Sequence, residues 1–132
     1  MAKLRHIAIA VKDTEEAAKF YETVFSMERV GVTESPIADG LYLSDGVMCL
    51  ALLKYKTEEA AGERGLDYVG VHHIGFWVDD LEASSAEIES NGGKFFLDLP
   101  LEKDSLYYER KFTDPAGVIF DISQNGWVGA KK

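Results

Sequence analysis

Cysteine is nearly missing from this chain. Cys49 is the only one, so no intrachain disulfide can staple the fold. It sits in the apolar run Val47-Met48-Cys49-Leu50, where a small buried hydrophobe is the expected reading and a nucleophile is not. Long hydrophobic runs are missing too, and nothing approaches the length needed to span a membrane. Met1-Ala2-Lys3-Leu4-Arg5 is followed by only a short apolar stretch before Lys12 and Asp13, so no secretory signal is visible and a cytoplasmic setting is expected. Basic residues are scarce: Lys and Arg number 14 against 23 Asp and Glu, a net charge of −9. That balance argues against a nucleic-acid surface, which needs clustered cations, and against an anionic membrane. It leaves room for a small anionic ligand held by a few local cations. The chain has 132 residues, 46% of them hydrophobic and 28% charged, which suits one soluble globular domain over 1–132 with a real core.

What is present is a repeat. Leu4-Arg5-His6-Ile7-Ala8-Ile9-Ala10-Val11-Lys12-Asp13 recurs as Val71-His72-His73-Ile74-Gly75-Phe76-Trp77-Val78-Asp79-Asp80. His6 matches His73, Val11 matches Val78, Asp13 matches Asp80 and Glu15 matches Glu82, always at the same interval of about half the chain. Each half therefore carries one histidine at the same point, and two related halves can bring two imidazoles together.

Residues 4–11 alternate and are rich in Ile and Val, which predicts a strand. Asp13 or Thr14 then caps a helix with Glu15 and Glu16 in its first turn. Ala17, Phe20, Tyr21, Val24 and Phe25 form one stripe at helical spacing and are expected to pack on the sheet. Strands follow near 27–34, 39–44 and 47–55, separated by turns at Pro36, Asp39-Gly40 and Asp45-Gly46. Residues 57–69 are polar, with Gly62 and Gly65, and read as a linker. The second half repeats the plan: a strand at 70–78, a helix at 80–91 stopped by Asn91-Gly92-Gly93, and strands near 94–98, 106–113 and 118–123. The expected organisation is a first βαβββ module over 1–56 and a second over 70–126. Each module has one sheet face covered by its helix and one face open.

Strand parity assigns the faces. Ile7, Ile9 and Val11 form the helix-packing set of the first strand, and Ile74, Phe76 and Val78 that of the fifth. His6 and His73 then face the open side, each followed two residues on by a small residue, Ala8 or Gly75. His72 points the other way. In Val118-Ile119-Phe120-Asp121-Ile122-Ser123, Asp121 falls opposite the apolar face, and an aspartate in such a strand needs a partner or a cation. Two imidazoles and a carboxylate converging with open positions suit non-haem Fe(II), with Mn, Zn, Co or Ni as other occupants. Asp114-Pro115-Ala116-Gly117 is a strong hairpin turn. Tyr107, Tyr108 and Arg110 stand before it as candidate lining of a substrate pocket, and Lys111 as an anion clamp or acid.

These motifs, with Phe20-Tyr21 and Phe112-Thr113-Asp114-Pro115-Ala116-Gly117, resemble the vicinal oxygen chelate superfamily of glyoxalase, fosfomycin-resistance, bleomycin-resistance and extradiol dioxygenase proteins. The resemblance covers nearly the whole chain. It implies an α+β fold of two βαβββ modules forming a U-shaped mixed sheet around a metal or ligand cup. It also implies one divalent metal ion, held here by His6, His73 and Asp121. The fourth-strand ligand of glyoxalases and epimerases falls at Ala51 or Leu50, neither of which can bind metal, and Ala51 is expected on the pocket lining instead. Three protein ligands resemble a small extradiol-type dioxygenase acting on a bidentate oxygen substrate, with Fe(II) favoured. Metal-dependent lyase or isomerase chemistry is the alternative. A metal-free drug-binding cup walled by Tyr42, Trp77, Tyr107, Tyr108 and Trp127 is the third reading. The family resemblance also implies a homodimer, and leaves open whether His6 meets His73 of its own chain or of a partner.

Overall fold

A computed structural model describes residues 1–132. The first half runs β1 (Lys3–Ala10), α1 (Thr14–Phe25), β2 (Glu28–Glu34), β3 (Ala38–Ser44) and β4 (Cys49–Tyr55). A short helix α2 (Glu58–Ala61) and one 3-10 turn (Gly62–Arg64) lie in the connection. The second half runs β5 (Gly70–Trp77), α3 (Leu81–Ser90), β6 (Lys94–Asp98), β7 (Arg110–Thr113) and β8 (Ile119–Ser123). The repeat extends to the helix caps: Asp13 Oδ1 accepts from the Glu16 N–H at 3.0 Å and Asp80 Oδ1 from the Ala83 N–H at 2.9 Å. Each carboxylate satisfies an amide that the first turn leaves free.

The eight strands form one open, mixed sheet in the order β2-β3-β4-β1-β5-β8-β7-β6. In each half the first strand pairs in parallel with the last, β1 with β4 and β5 with β8. The halves join where β1 and β5 pair antiparallel. Ala8 lies opposite Ala51, and its repeat partner Gly75 lies opposite Asp121. Ala51 is thus the first half's counterpart of Asp121, so one half has kept a carboxylate where the other has a methyl group. Two register shifts interrupt the β1–β5 ladder and leave Arg5 and His72 without opposite partners.

Two apolar clusters sit under the helices. Ala18, Leu41, Leu43 and Leu52 pack with Ile9, Val11 and Tyr21, and Val78, Leu81, Tyr108, Phe112 and Ile122 pack with Phe76, Ile88 and Phe120. These are the strand faces that alternation assigned to the helices. Three details differ from expectation. The buried face of α1 centres on Ala17, Ala18 and Tyr21, because the two alanines let the helix lie close to the sheet. Phe20 and Val24 are turned to one side and Phe25 ends the helix, so all three are more than half exposed. β7 begins at Arg110, not near 106, because a turn bond from the Tyr108 N–H to the Ser105 carbonyl holds the preceding residues out of the ladder. The Asp114 turn is as expected: Asp114 Oδ1 accepts from the Ala116 and Val118 amides, with Gly117 at φ +93°. No helix is long and apolar enough to cross a membrane.

Candidate metal centre

His6 lies opposite Gly75 and His73 opposite Ala8 in the β1–β5 ladder, so the two histidines are neighbours on one face over small residues. Both are buried, and their Nε2 atoms are 3.3 Å apart within the one chain. β8 brings Asp121 beside them. Its Oδ2 is 2.9 Å from His73 Nε2 and 3.5 Å from His6 Nε2. A fourth donor is Glu109, whose Oε2 is 3.3 Å from His6 Nε2. The ligand atoms of His6, His73, Glu109 and Asp121 all lie within 4.8 Å of one another.

These residues fit a divalent metal. Bonds of roughly 2.0–2.1 Å from a metal to two nitrogens put the nitrogens about 3.0–3.4 Å apart, and the imidazoles already stand at that separation. Asp121 Oδ2 and His6 Nδ1 are buried without any hydrogen-bond partner. Close approach of Oδ2 to two ring nitrogens without a well-aligned hydrogen bond is the arrangement of donors sharing a cation. Asp121 reaches the imidazoles directly although its side chain is short. Two imidazoles with carboxylate oxygens suit Fe, Mn, Zn, Co and Ni alike.

A lysine enters the same cluster. Lys111 on β7 lies opposite Asp121 and donates to its Oδ1 at 2.8 Å. Its Nζ is also 3.5 Å from His73 Nε2 and 4.0 Å from Glu109 Oε1. Burial alone would lower this ammonium's pKa, but Asp121 and Glu109 outweigh it and hold it above the usual lysine value. Burial alone would likewise raise the Asp121 carboxyl, but His73 and Lys111 hold it well below the usual carboxylate range. Glu109 has the opposite balance: burial, reinforced by the Asp121 charge, pushes its carboxyl well above the usual value. Burial also lowers both imidazoles, His73 to about 3.

Trp127 closes one side. Its indole stacks on His6 with ring centroids 4.7 Å apart and planes 1° from parallel, and its Nε1–H donates to Glu109 Oε2 at 2.8 Å. It occupies the space beside Gly75: a Cβ there would meet Trp127 Cζ2 at 2.7 Å and His6 Cβ at 2.8 Å. The small residue expected to leave a void instead admits these two rings.

Beside the cluster is a cavity of about 220 Å³ with walls from Tyr42, Leu53, Tyr55, Leu99, Leu101 and Tyr107, and with Glu109 and Lys111 on its lining. Of the residues expected around a pocket or cup, Tyr42 and Tyr107 line this cavity and Trp127 borders the donor cluster. The other four do not face it. Ala51 is fully buried between Ala8 and Tyr42. Trp77 stands at the far end of β5, where its Nε1–H donates to the Gln124 carbonyl. Tyr108 belongs to the core under α3, and its hydroxyl donates to Asp98. Arg110 projects to the same outer side and meets Ser85 and Glu82. The reason is parity. Phe112 packs on the helix side, which carries Arg110 and Tyr108 with it and turns Lys111 and Glu109 inward. The same count was available in the sequence and would have found Glu109.

A repeated βαβββ plan closing over a buried histidine–carboxylate cluster defines a class of metal-site protein. The chain belongs to the Glyoxalase/Bleomycin resistance protein/Dioxygenase superfamily, whose profile matches residues 3–122. It is similar to the lactoylglutathione lyase of Haemophilus influenzae (strain ATCC 51907 / DSM 11121 / KW20 / Rd), at 24% identity and 93% coverage of each chain. Among solved structures it is similar to a methylmalonyl-CoA epimerase in complex with methylmalonyl-CoA and NH4+, with a TM-score of 0.77, 20% identity and coverage of 92% and 93% of the two chains. A methylmalonyl-CoA epimerase from Mycobacterium tuberculosis gives a TM-score of 0.69 at 20% identity, with coverage of 90% and 85%. At such identities the solved structures establish the shared fold.

Proposed function

We propose that this protein is a divalent-metal-dependent lyase or isomerase that moves a proton at the carbon beside a carbonyl in a small acyl substrate with adjacent oxygens. The relatives support this reading over the extradiol-type dioxygenase, since one is named for lactoylglutathione and others for methylmalonyl-CoA, both thioesters. The observation that carries it is Glu109, the one carboxylate that belongs both to the donor cluster and to the cavity wall. An extradiol-type dioxygenase removes protons from oxygen and has no need of a base placed at a substrate carbon.

His6, His73 and Asp121 would hold the metal. Once bound, the ion would polarise the substrate carbonyl and stabilise the enolate-like anion that forms on proton loss. Glu109 takes the proton from carbon and returns it. Its burial makes it a stronger base than an ordinary carboxylate, and the Trp127 N–H fixes one of its oxygens. Lys111 stands on the wall as a fixed positive charge facing the developing anion. Leu53, Leu99 and Leu101 give the cavity an apolar wall. A cavity of about 220 Å³ takes a small acyl group and leaves a large thiol carrier outside, since whole drug-sized ligands fill roughly 300–1,000 Å³.

The test is exchange of substrate hydrogen with deuterated solvent, followed by NMR on protein loaded with Mn, Co, Ni or Zn. Methylmalonyl-CoA and the glutathione adduct of methylglyoxal serve as probes. Exchange that falls about a hundredfold or more in Glu109→Gln, with metal content retained, is expected. Oxygen uptake with catechols, and no exchange with either thiol-linked probe, would overturn the reading in favour of the dioxygenase.

A further inference from the structure

β5 carries two adjacent histidines, and both are buried. Simple alternation sends neighbours to opposite faces, and His72 was expected to point away from His73. The strand is bulged here instead. His73 lies opposite Ala8 and Val71 opposite Ile9, so His72 is the extra residue with no partner in register. A bulge of this kind re-aims a side chain. His72 Nε2 comes within 2.6 Å of the Ala61 carbonyl at the end of α2, and its Nδ1 within 2.9 Å of His73 Nδ1. Its remaining polar neighbour is the Tyr55 hydroxyl, 3.3 Å from His72 Nδ1 and 3.5 Å from His73 Nδ1. These contacts include no carboxylate.

The contacts fix where the protons are. A carbonyl only accepts, so His72 Nε2 carries the hydrogen. A neutral imidazole has one N–H, so His72 Nδ1 is a bare acceptor. Two bare nitrogens do not sit 2.9 Å apart, so the hydrogen between the rings is on His73 Nδ1. His73 Nε2 is then the bare nitrogen; the Lys111 ammonium is 3.5 Å from it, and its 2.9 Å approach to the Asp121 carboxylate is tenable with a cation between the two. We propose that His72 is a positioning residue of the metal centre: through it, the Ala61 carbonyl holds His73 in the tautomer that offers Nε2 as a ligand. The role rests on the reading of His6, His73 and Asp121 as metal ligands. The tautomer rests on the contacts just described and on a cation between Nε2 and Asp121. His6 has no such support, since its Nδ1 has no hydrogen-bond partner. The connection between the halves thereby acts on the site, because it supplies the carbonyl.

The first measurement is a long-range proton–nitrogen NMR correlation on zinc-loaded protein with nitrogen-15 histidine. Hydrogen on His73 Nδ1 and on His72 Nε2 is expected, and hydrogen on His73 Nε2 would overturn the proposal. The second is zinc affinity by chelator competition for wild type, His72→Phe and His72→Gln. Loss of an outer hydrogen-bond partner typically weakens metal binding roughly 10–100-fold, which is expected for His72→Phe. A glutamine amide can donate to Ala61 and accept from His73, so His72→Gln should stay within a few-fold of wild type. Unchanged affinity in His72→Phe, or equal loss in both variants, would overturn the positioning role. If His72→Phe fails to fold, the wild-type spectrum and the glutamine variant still decide. Wild-type protein that takes up no zinc would sink the metal-ligand reading and the positioning role with it, whereas zinc uptake with unchanged affinity in His72→Phe would sink the positioning role alone.

Discussion

Replacing Gly75 with alanine adds one methyl group at the most crowded point of the site. The new Cβ would meet Trp127 Cζ2 at 2.7 Å, His6 Cβ at 2.8 Å and His6 Cδ2 at 2.9 Å, all well inside van der Waals contact. His6 Cβ is tied to the β1 backbone, so it cannot swing aside without moving the strand. Overpacking of this kind costs about 1–3 kcal/mol, and the contacts here place it at the upper end. Gly75 has no positive φ, so stiffening the unfolded chain returns about 0.4–1 kcal/mol. The net expectation is about 2 kcal/mol of destabilisation. For a chain of this size that is a fall in Tm of about 8 °C, read by circular dichroism on metal-free protein. Displacing His6 should also weaken zinc binding at least about tenfold, by analogy with the loss of a ligand's supporting contacts. An unchanged Tm together with unchanged affinity would refute the account, and would mean that close packing of His6 and Trp127 over Gly75 does not position the donor.

Lys111→Met removes the cation from Asp121 and leaves a buried carboxylate uncompensated, so metal-free protein should lose about 3–5 kcal/mol. Saturating zinc should recover much of that, as thermal scans with and without the ion would show. Acid should destabilise the metal-free fold early. His73 is held to about 3 when folded, against roughly 6.5 unfolded. The unfolded chain therefore binds more protons between these values, and stability falls as pH drops through that window. About 1.4 kcal/mol per unit gives a loss of roughly 3 kcal/mol over the first two units, measurable by urea titration at several pH values. Glu109, held above its usual value when folded, works the other way in this window, so the titration is made on Glu109→Gln protein, where a flat profile would contradict the burial of His73. Asp121 adds a further loss only at lower pH, below the usual carboxylate range. Burial pushes the Cys49 thiol up to about 12, so a thiol reagent at pH 8 should label it only after denaturant is added.

Much of this fold was legible in the sequence because the repeat supplied a second reading of every element. Matched positions placed His6 and His73 on one face, and alternation in the last strand set Asp121 apart from its apolar neighbours. Alternation also chose the helix-packing residues correctly, because β1 and β5 are covered on that side along most of their length. It failed where the ladder is interrupted. The bulge at His72 is invisible to a period of two, since one extra residue reverses every later assignment on that strand relative to its partner. Glu109 was overlooked for a different reason. It lies just before β7, outside the regular ladder, and only extending the count back from Lys111 turns it inward. Arg110 and Tyr108 failed with it, being placed by residue type when Phe112 had already fixed their side. The α1 stripe was too wide to show which edge would be buried, and the small side chains of Ala17 and Ala18 decided it.

The two halves share a plan but have divided its labour. By register, Ala51 stands where its twin has Asp121, and Tyr42, opposite Ala51, stands where its twin has Lys111. The first half gives the donor cluster His6 alone, yet Thr33, Ile37, Tyr42, Leu53 and Tyr55 from it shape the cavity. The second half holds most of the donors and part of the wall, and the first half holds one donor and the rest of the wall. A change on β3 can therefore reshape what the cavity admits while every proton-carrying group stays in place. A lineage of such proteins is free to alter what the cavity admits by drifting in its first half while the donors of the second are kept.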